Sequence, residues 1–318
     1  MSIQRGILLL LLAILLIGCA DANTSSINRV GLLLEDTIDD QGWNSKGYQG
    51  LLNIHSNLNV EVTFKEDMNT EPKVTKAIEE FVTDDVKLIF GHGRFFAEFF
   101  TEIAPDYPDV HFVSFNGEVE GTNVTSLHFN SYAMGYFAGM VAAAMSETGH
   151  VGAIAAFPWQ PEIKGFEAGA ALYGNSNAHV NYVEDWADSE KALSYFEQLK
   201  DVGVDVFYPA GDGYHVQVIE EARKEGLYAI GFVGDQSDLG ESTVLTSTVQ
   251  HVDHLYELIA ELYYKQQLET GNLQFDFADG VISLGAFSTK VPEELKQKIE
   301  EAVRVYMETG ELPTEPFL

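Results

Sequence analysis

The chain has 318 residues, with 18 Lys and Arg against 49 Asp and Glu, and a formal net charge of −31. That length suggests roughly two domains, and 46% hydrophobic content with 12% aromatics is enough for packed cores rather than disorder. The acidity sets a repulsive field against nucleic acid and anionic headgroups, and a single cysteine excludes an intramolecular disulfide framework and Cys-based zinc sites.

Residues 1–18 read as a secretion leader outside the fold. Arg5 supplies a short positive region, and Ile7–Ile17 is an unbroken apolar run. It is long enough for a signal peptide but short of the ~20 residues a spanning helix needs. The run ends in Gly18-Cys19, which resembles a bacterial lipobox, and Cys19 is the one cysteine of the chain. Lipidation of Cys19 is therefore expected, with the mature protein held on the outer face of the cytoplasmic membrane. Residues 19–28 are small and polar and read as a tether.

From Arg29 short apolar runs alternate with amphipathic segments. Strands are predicted at Arg29–Leu34, Val60–Phe64, Val86–Phe90 and His111–Phe115. Helices are predicted at Ser45–Ile54, Thr70–Thr83 and Phe95–Ala104, the second with Val74, Ala77, Ile78, Phe81 and Val82 on one face. A Gly- and Ala-rich helix comes next at Tyr132–Ser146, and its small face at Gly135, Gly139 and Ala143 calls for close packing against a neighbour. The alternation then restarts. Strands Val151–Ala155, Val180–Val183, Val206–Pro209 and Ala229–Phe232 separate helices Pro161–Leu172, Ser189–Asp201 and Val216–Glu225. The tail reads as strand Val244–Val249, helix His251–Glu269, strand Val281–Leu284 and helix Pro292–Thr309, elements that cross back between the halves. The fold class is α/β, with parallel sheets covered on both faces.

In open α/β sheets ligands bind outside the carboxyl ends of the strands. The segments there are Glu35–Asn44, Gly91–Phe95, Asn116–Gly117, Ala156–Gln160, Glu184–Asp188, Ala210–Tyr214 and Val233–Asp238. They are rich in Gly, Asp, Asn and aromatics, the composition of a cleft that stacks on a ring and hydrogen-bonds hydroxyls. Asp40 and Asn44 suit polar contacts to a ligand with Trp43 as a stacking wall, although an Asp here equally caps the next helix. His92, between Gly91 and Gly93, is either a pH-sensitive ligand contact or a surface group on a tight turn. Gly211 and Asp212 form the matching turn of the second half, open to close ligand approach or to plain capping. Trp159 and Trp186 read as walls of the cleft or between the lobes, with loop packing as the alternative. Neither turn carries a dinucleotide or P-loop fingerprint. No Gly-x-Ser-x-Gly elbow is present, and His251 and His254 have no evident third ligand, so no enzyme activity, metal or cofactor is expected.

Several of these segments resemble one family in the same order. Asp40-Gln41-Gly42-Trp43-Asn44 with Gly47-Tyr48-Gln49-Gly50-Leu51, Tyr107 to Phe112, Gly135-Tyr136-Phe137-Ala138-Gly139, Gly211-Asp212-Gly213 and Asp235-Gln236 look like the basic membrane protein family. These are purine-nucleoside-receptor-like substrate-binding lipoproteins of ABC importers. Tyr208 to Tyr214, Gly226 to Gly231, Asp235 to Gly240 and Leu245 to Gln250 are closer to a branch known in Bacillus-type bacteria for positive regulation of competence gene expression. The resemblance implies a type I periplasmic-binding-protein fold of two Rossmann-like lobes, residues 29–128 plus 250–283 and residues 129–249 plus 284–318. It implies three crossovers, near Ser126–Ser131, Leu245–Val249 and Ser283–Phe287.

It further implies that Asp40 and Asn44 contact a nucleobase, that Trp43 replaces a stacking Phe, and that Gly211 lies beside a ribose. Three positions depart from the family's pattern: Asn116 and Val233 stand where it has Asp, and Gln250 where it has Lys. The expected partners are a nucleoside-like solute, an ABC permease and, through the lipid, the membrane. No nucleic acid partner is expected. The alternative is a regulatory lipoprotein with altered or lost ligand binding.

Overall fold

The computed structural model describes residues 29–39, 42–172 and 176–316. The leader, Cys19, the tether and Asp40 lie outside the described residues, so the expectations attached to them rest on sequence.

Two six-stranded sheets organise the molecule. In the first, β1 (Arg29–Leu34) lies between β2 (Glu61–Lys65) and β3 (Leu88–His92). With β4 (His111–Phe115), β5 (Val124–Phe129) and β11 (Gly271–Phe275) the order is β11-β5-β4-β3-β1-β2, parallel throughout. The second sheet holds β6 (His150–Ala155), β7 (Asn177–Tyr182), β8 (Val206–Ala210), β9 (Tyr228–Gly231), β10 (Val244–Gln250) and β12 (Ile282–Leu284). Its order is β12-β10-β9-β8-β6-β7, and only the short β12 runs antiparallel to its neighbour.

Parallel strands need crossover helices, which bury both faces of the sheet. The two-residue side-chain period shows this in β1. Val30, Leu32 and Leu34 pack with Leu51 and Ile54 of α1 (Trp43–Leu58) and with Leu255 and Ile259 of α8 (Val252–Tyr264). Leu33 faces the other way, toward Val74, Ile78 and Phe81 of α2 (Glu71–Thr83) and Phe96 and Phe100 of α3 (Phe95–Ile103). In the second lobe α4 (Ser131–Met145) and α5 (Pro161–Ala171) cover one face, and α6 (Ser189–Asp201) and α7 (His215–Glu225) cover the other. The predicted small face of α4 is used against α5. A Cβ at Gly135 or Gly139 would collide with the carbonyls of Glu162 or Phe166, and one at Gly165 or Gly169 with those of Tyr132 or Tyr136. The backbones of α4 and α5 therefore touch. Among the described residues no helix is long and apolar enough to cross a membrane.

The structure departs from the predicted elements in the tail and at the sheet edges. Strands β5 and β11 were not anticipated. Thr125 and Ser126 are buried polar residues that break the apolar run of β5, and β11 is an edge strand with only Phe275 buried. The helix predicted to Glu269 ends at Tyr264, which frees residues 271–275 to join the first sheet. The second and third crossings also differ from those implied. Residues 244–250 are all strand, so the chain leaves the second sheet only at Gln250–Val252. It has returned before Ser283, because Ile282–Leu284 already pairs with β10. The three passages between lobes are thus Phe129–Ser131, Gln250–Val252 and Phe275–Ile282. They are tied side by side. Asn130 Nδ2 donates to Asp276 Oδ2 and to the Tyr306 hydroxyl, both at 2.8 Å. Tyr306, on α9 (Glu293–Thr309), donates back to Asp276 at 2.5 Å.

Candidate functional site

The strand ends of the two sheets face each other across a cleft, and a cavity of about 240 Å³ opens between them. Gly42 and Lys46 line it from the start of α1, while His215, Val233, Gly234, Asp235 and Gln236 line it from the second lobe. Lys46 sits one helical turn beyond Trp43, so the loop singled out in sequence reaches the cavity through a residue that the sequence did not make conspicuous. Helical spacing from Trp43 is the signal that would have found it. Val216, Phe232, Asp238 and Leu239 complete the lining and were likewise not singled out as site residues.

Val233 carries the most unusual backbone of this site. Its φ is +64°, the left-handed region, which a β-branched side chain disfavours by roughly 1–2 kcal/mol. The Gly234 amide donates to the Phe232 carbonyl at 2.8 Å and closes a three-residue turn over Val233. The Val233 carbonyl in turn accepts from the Gln250 amide at 2.9 Å. Two positions that depart from the family pattern are therefore in direct contact. Gln250 is buried, and its side-chain amide lies 3.5 Å from Ser131 Oγ on another crossing. The third departure, Asn116, also has a positive φ, +58°, at the exposed end of β4, a conformation an Asn tolerates. Two of the three positions, Asn116 and Val233, share a left-handed backbone that suits Asn or Gly, yet one of them holds a β-branched apolar side chain.

The other expected site residues divide by lobe. His92 is fully buried inside the first lobe. Its Nε2 lies 2.7 Å from the Trp43 carbonyl and its Nδ1 2.9 Å from the Tyr256 hydroxyl. A carbonyl only accepts, so Nε2 carries the proton and Nδ1 accepts from Tyr256. Burial pushes the Tyr256 phenol well above its ordinary value, which keeps that donor protonated. The expectation of a ligand contact at His92 gives way to a core role, because both ring nitrogens are engaged within the lobe. Gly91 goes the same way. A side chain there would strike Phe96 and Phe100, so the glycine serves helix packing.

Trp43 is half-buried, stacked on the His92 ring at 4.3 Å and edge-on to Phe115 and Phe129. Asn44 is buried beside it in the first turn of α1. Beneath this wall Glu35 accepts from the Phe95 amide at the start of α3, and burial raises its carboxyl above the usual range.

In the second lobe Gly211 leaves room for the Tyr214 ring, and its carbonyl lies 2.8 Å from His215 Nδ1. Asp212 reaches the first lobe: a Cβ on Gly42 would sit 2.9 Å from Asp212 Oδ1. Asp235 lines the cavity while its oxygens accept from the Ser237 and Ala286 amides, at 3.1 and 3.0 Å. Trp159 and Trp186 form an aromatic trio with Phe157. Trp159 stacks on Phe157 at 5.4 Å, and Trp186 meets both edge-on. Trp159 remains 49% exposed at the rim while it packs on Phe157 and Trp186. Among the described residues no group of three or more His, Cys, Asp or Glu is arranged to hold a metal ion.

Two parallel-sheet lobes, three crossings and an interlobe cavity at the strand ends make up the type I periplasmic-binding-protein fold. The chain belongs to the Bmp family, described as ABC transporter substrate-binding protein PnrA-like, whose model matches residues 27–315. It is similar to the transcriptional activator protein med of Bacillus subtilis, with 48% identity over 98% of this chain and 99% of that one. A solved structure of a transcriptional activator of the comK gene from Bacillus halodurans superposes with a TM-score of 0.85. That structure is 59% identical and covers 90% of this chain and 99% of its own. A purine-binding protein of Brucella abortus is 25% identical over 89% of this chain and 82% of its own.

Proposed function

We propose that this protein is a lipid-anchored extracytoplasmic receptor that takes a small, nucleoside-like solute between its lobes and passes the closed state to a membrane partner. The observation that carries this reading is the cavity walled by both lobes, with Gly42 and Lys46 on one side and Val233 to Gln236 on the other. A solute there contacts both lobes at once, so its binding energy is coupled to their relative position. The units that move are the two sheets with their helices, joined at the passages Phe129–Ser131, Gln250–Val252 and Phe275–Ile282. Cys19 carries the lipid, which puts the cleft outside the cytoplasmic membrane, and an ABC permease is the partner in the transport form of this reading.

The regulatory form is favoured by a specific observation: the relatives at 48% and 59% identity are named as transcriptional activators. The route then runs through a membrane partner and not through DNA, since a chain of net charge −31 repels phosphate. The departures at Asn116, Val233 and Gln250 support a solute chemistry different from that of a purine nucleoside receptor, because they remove charge-assisted hydrogen bonds from the cleft.

Native mass spectrometry of the intact lipoprotein, joined to a thermal-shift series of nucleosides, bases and related solutes, tests the reading. A co-purifying small molecule, or a concentration-dependent rise in melting temperature with one class of solute, is expected. No retained mass and no stabilisation across the series contradict solute binding. A deletion strain separates the two outputs: lost uptake with normal competence expression favours transport, and the reverse favours regulation.

A further inference from the structure

Arg94 and Trp159 face each other across the cleft. Arg94 precedes α3 in the first lobe, and Trp159 comes after β6 in the second. The guanidinium carbon lies 5.5 Å from the centre of the Trp159 ring. The chain holds 49 acids, yet among the described residues this guanidinium is partnered by no carboxylate. Most of the other cations of the molecule are paired within their own lobe, as Arg29 is with Glu61 and Arg304 with Glu301 and Glu308. The receiving ring is prepared. Phe157 stacks on one side of Trp159 and Trp186 abuts its edge, so the indole keeps its position whether or not the cation is present.

Two further approaches lie along the same seam. Gly42 leaves no more than the space its missing side chain provides against Asp212, and the Lys46 stem reaches 3.8 Å from where a Gly234 side chain would begin. The lobes thus meet directly, protein on protein, next to the positions where the family pattern would supply Asp and Lys.

We propose that Arg94 and Trp159 form a latch that holds the lobes together before any solute arrives. The latch then adds a fixed bias toward closure, and a solute acts on top of it. This concerns the regulation of the cleft described above and rests on the reading of lobe closure as the output. The existence of the latch is independent of which solute binds. A cation over an exposed indole is a modest interaction, so each half of the latch shifts the closed-to-open ratio by about two- to fivefold. That is enough to tune a balanced two-state equilibrium.

Hydrogen exchange of the intact lipoprotein, without added solute, reads the open population at amides sealed in the seam, namely residues 210–214 and 233–236. Arg94→Ala and Trp159→Ala are each expected to speed exchange there by about two- to fivefold. The double variant is expected to be no faster than the singles, because both remove one contact. Arg94→Lys is expected to restore part of the protection, and amides of the β1–β3 core serve as the unchanged reference. Unchanged exchange in both single variants overturns the latch, and so does an effect in the double variant equal to the singles combined. Failure of every solute in the thermal-shift series leaves this result untouched, so the two readings fall separately.

Discussion

The two faces of the cleft are built on opposite plans. On the first lobe the conspicuous residues turn inward. His92 is locked between the Trp43 carbonyl and Tyr256, Gly91 makes room for Phe96, and Trp43 leans on His92 and Phe115. On the second lobe the aromatics stand at the rim, and the loop from Phe232 to Leu239 lines the cavity. The first face is a rigid wall that presents few groups, Lys46 and Arg94 above all. The second supplies most of the residues that line the cavity. The same residue types read as site candidates in both halves, and burial alone separates their roles.

Stability measurements break this comparison most directly. His92→Ala removes a stacked ring and leaves Tyr256 and the Trp43 carbonyl without their partner, so a loss of about 3 kcal/mol or more is expected in urea unfolding. Trp159→Ala at the exposed rim loses its contacts with Phe157, Trp186 and Arg94, and a smaller cost of about 1 kcal/mol is expected. Equal costs at the two positions would show that the lobes do not differ in this way.

Acid sharpens the contrast. His111, at the start of β4 in the first lobe, is held by burial at a pKa of about 4, with Nε2 2.8 Å from Thr125 Oγ1. Its folded pKa lies below the unfolded value of 6.5, so the unfolded chain binds the proton more readily. Its contribution is present above 6.5 and is lost as pH falls toward 4, up to about 3 kcal/mol. Unfolding curves for the parent chain and His111→Gln between pH 7 and 4 isolate this imidazole. The variant is expected to lose less stability over that interval. Parallel slopes would place the acid sensitivity elsewhere.

A smaller effect is expected on the second face. Val233→Asn relieves a β-branched residue of its left-handed backbone, for a gain of about 1 kcal/mol. A loss of stability in the same unfolding assay would mean that apolar packing of Val233 outweighs the strain.

Much of the architecture was legible because parallel strands buried on both faces leave uninterrupted apolar runs, as in Arg29–Leu34, and because α2 repeats its buried residues at helical spacing. Strand β5 was hidden because buried Thr125 and Ser126 interrupt its apolar run, and the bond from Thr125 to the Glu269 carbonyl comes from a residue 144 positions away that no local pattern announces. The loops that meet in the cleft were legible from the residues at each strand's carboxyl end. Their directions were not: His92 and Trp159 are both conspicuous residues at strand ends, and one is sealed while the other is half exposed. Arg94 lay within a strand-end segment, but its pairing with Trp159 carried no signal, because that partner is 65 residues away in the opposite lobe. Val233 was visible only as a departure from a family motif, and its strained turn appears only in the backbone.

The central claim is that a solute occupies the interlobe cavity. Gly234 tests it, because it lines the cavity and a Cβ there meets only the Lys46 stem, at 3.8 Å. The measurement is the thermal shift produced by the best-stabilising solute in the parent chain and in Gly234→Leu. The account predicts a clear rise in the parent and its loss in a variant whose own melting temperature is unchanged. An equal rise in both would contradict it.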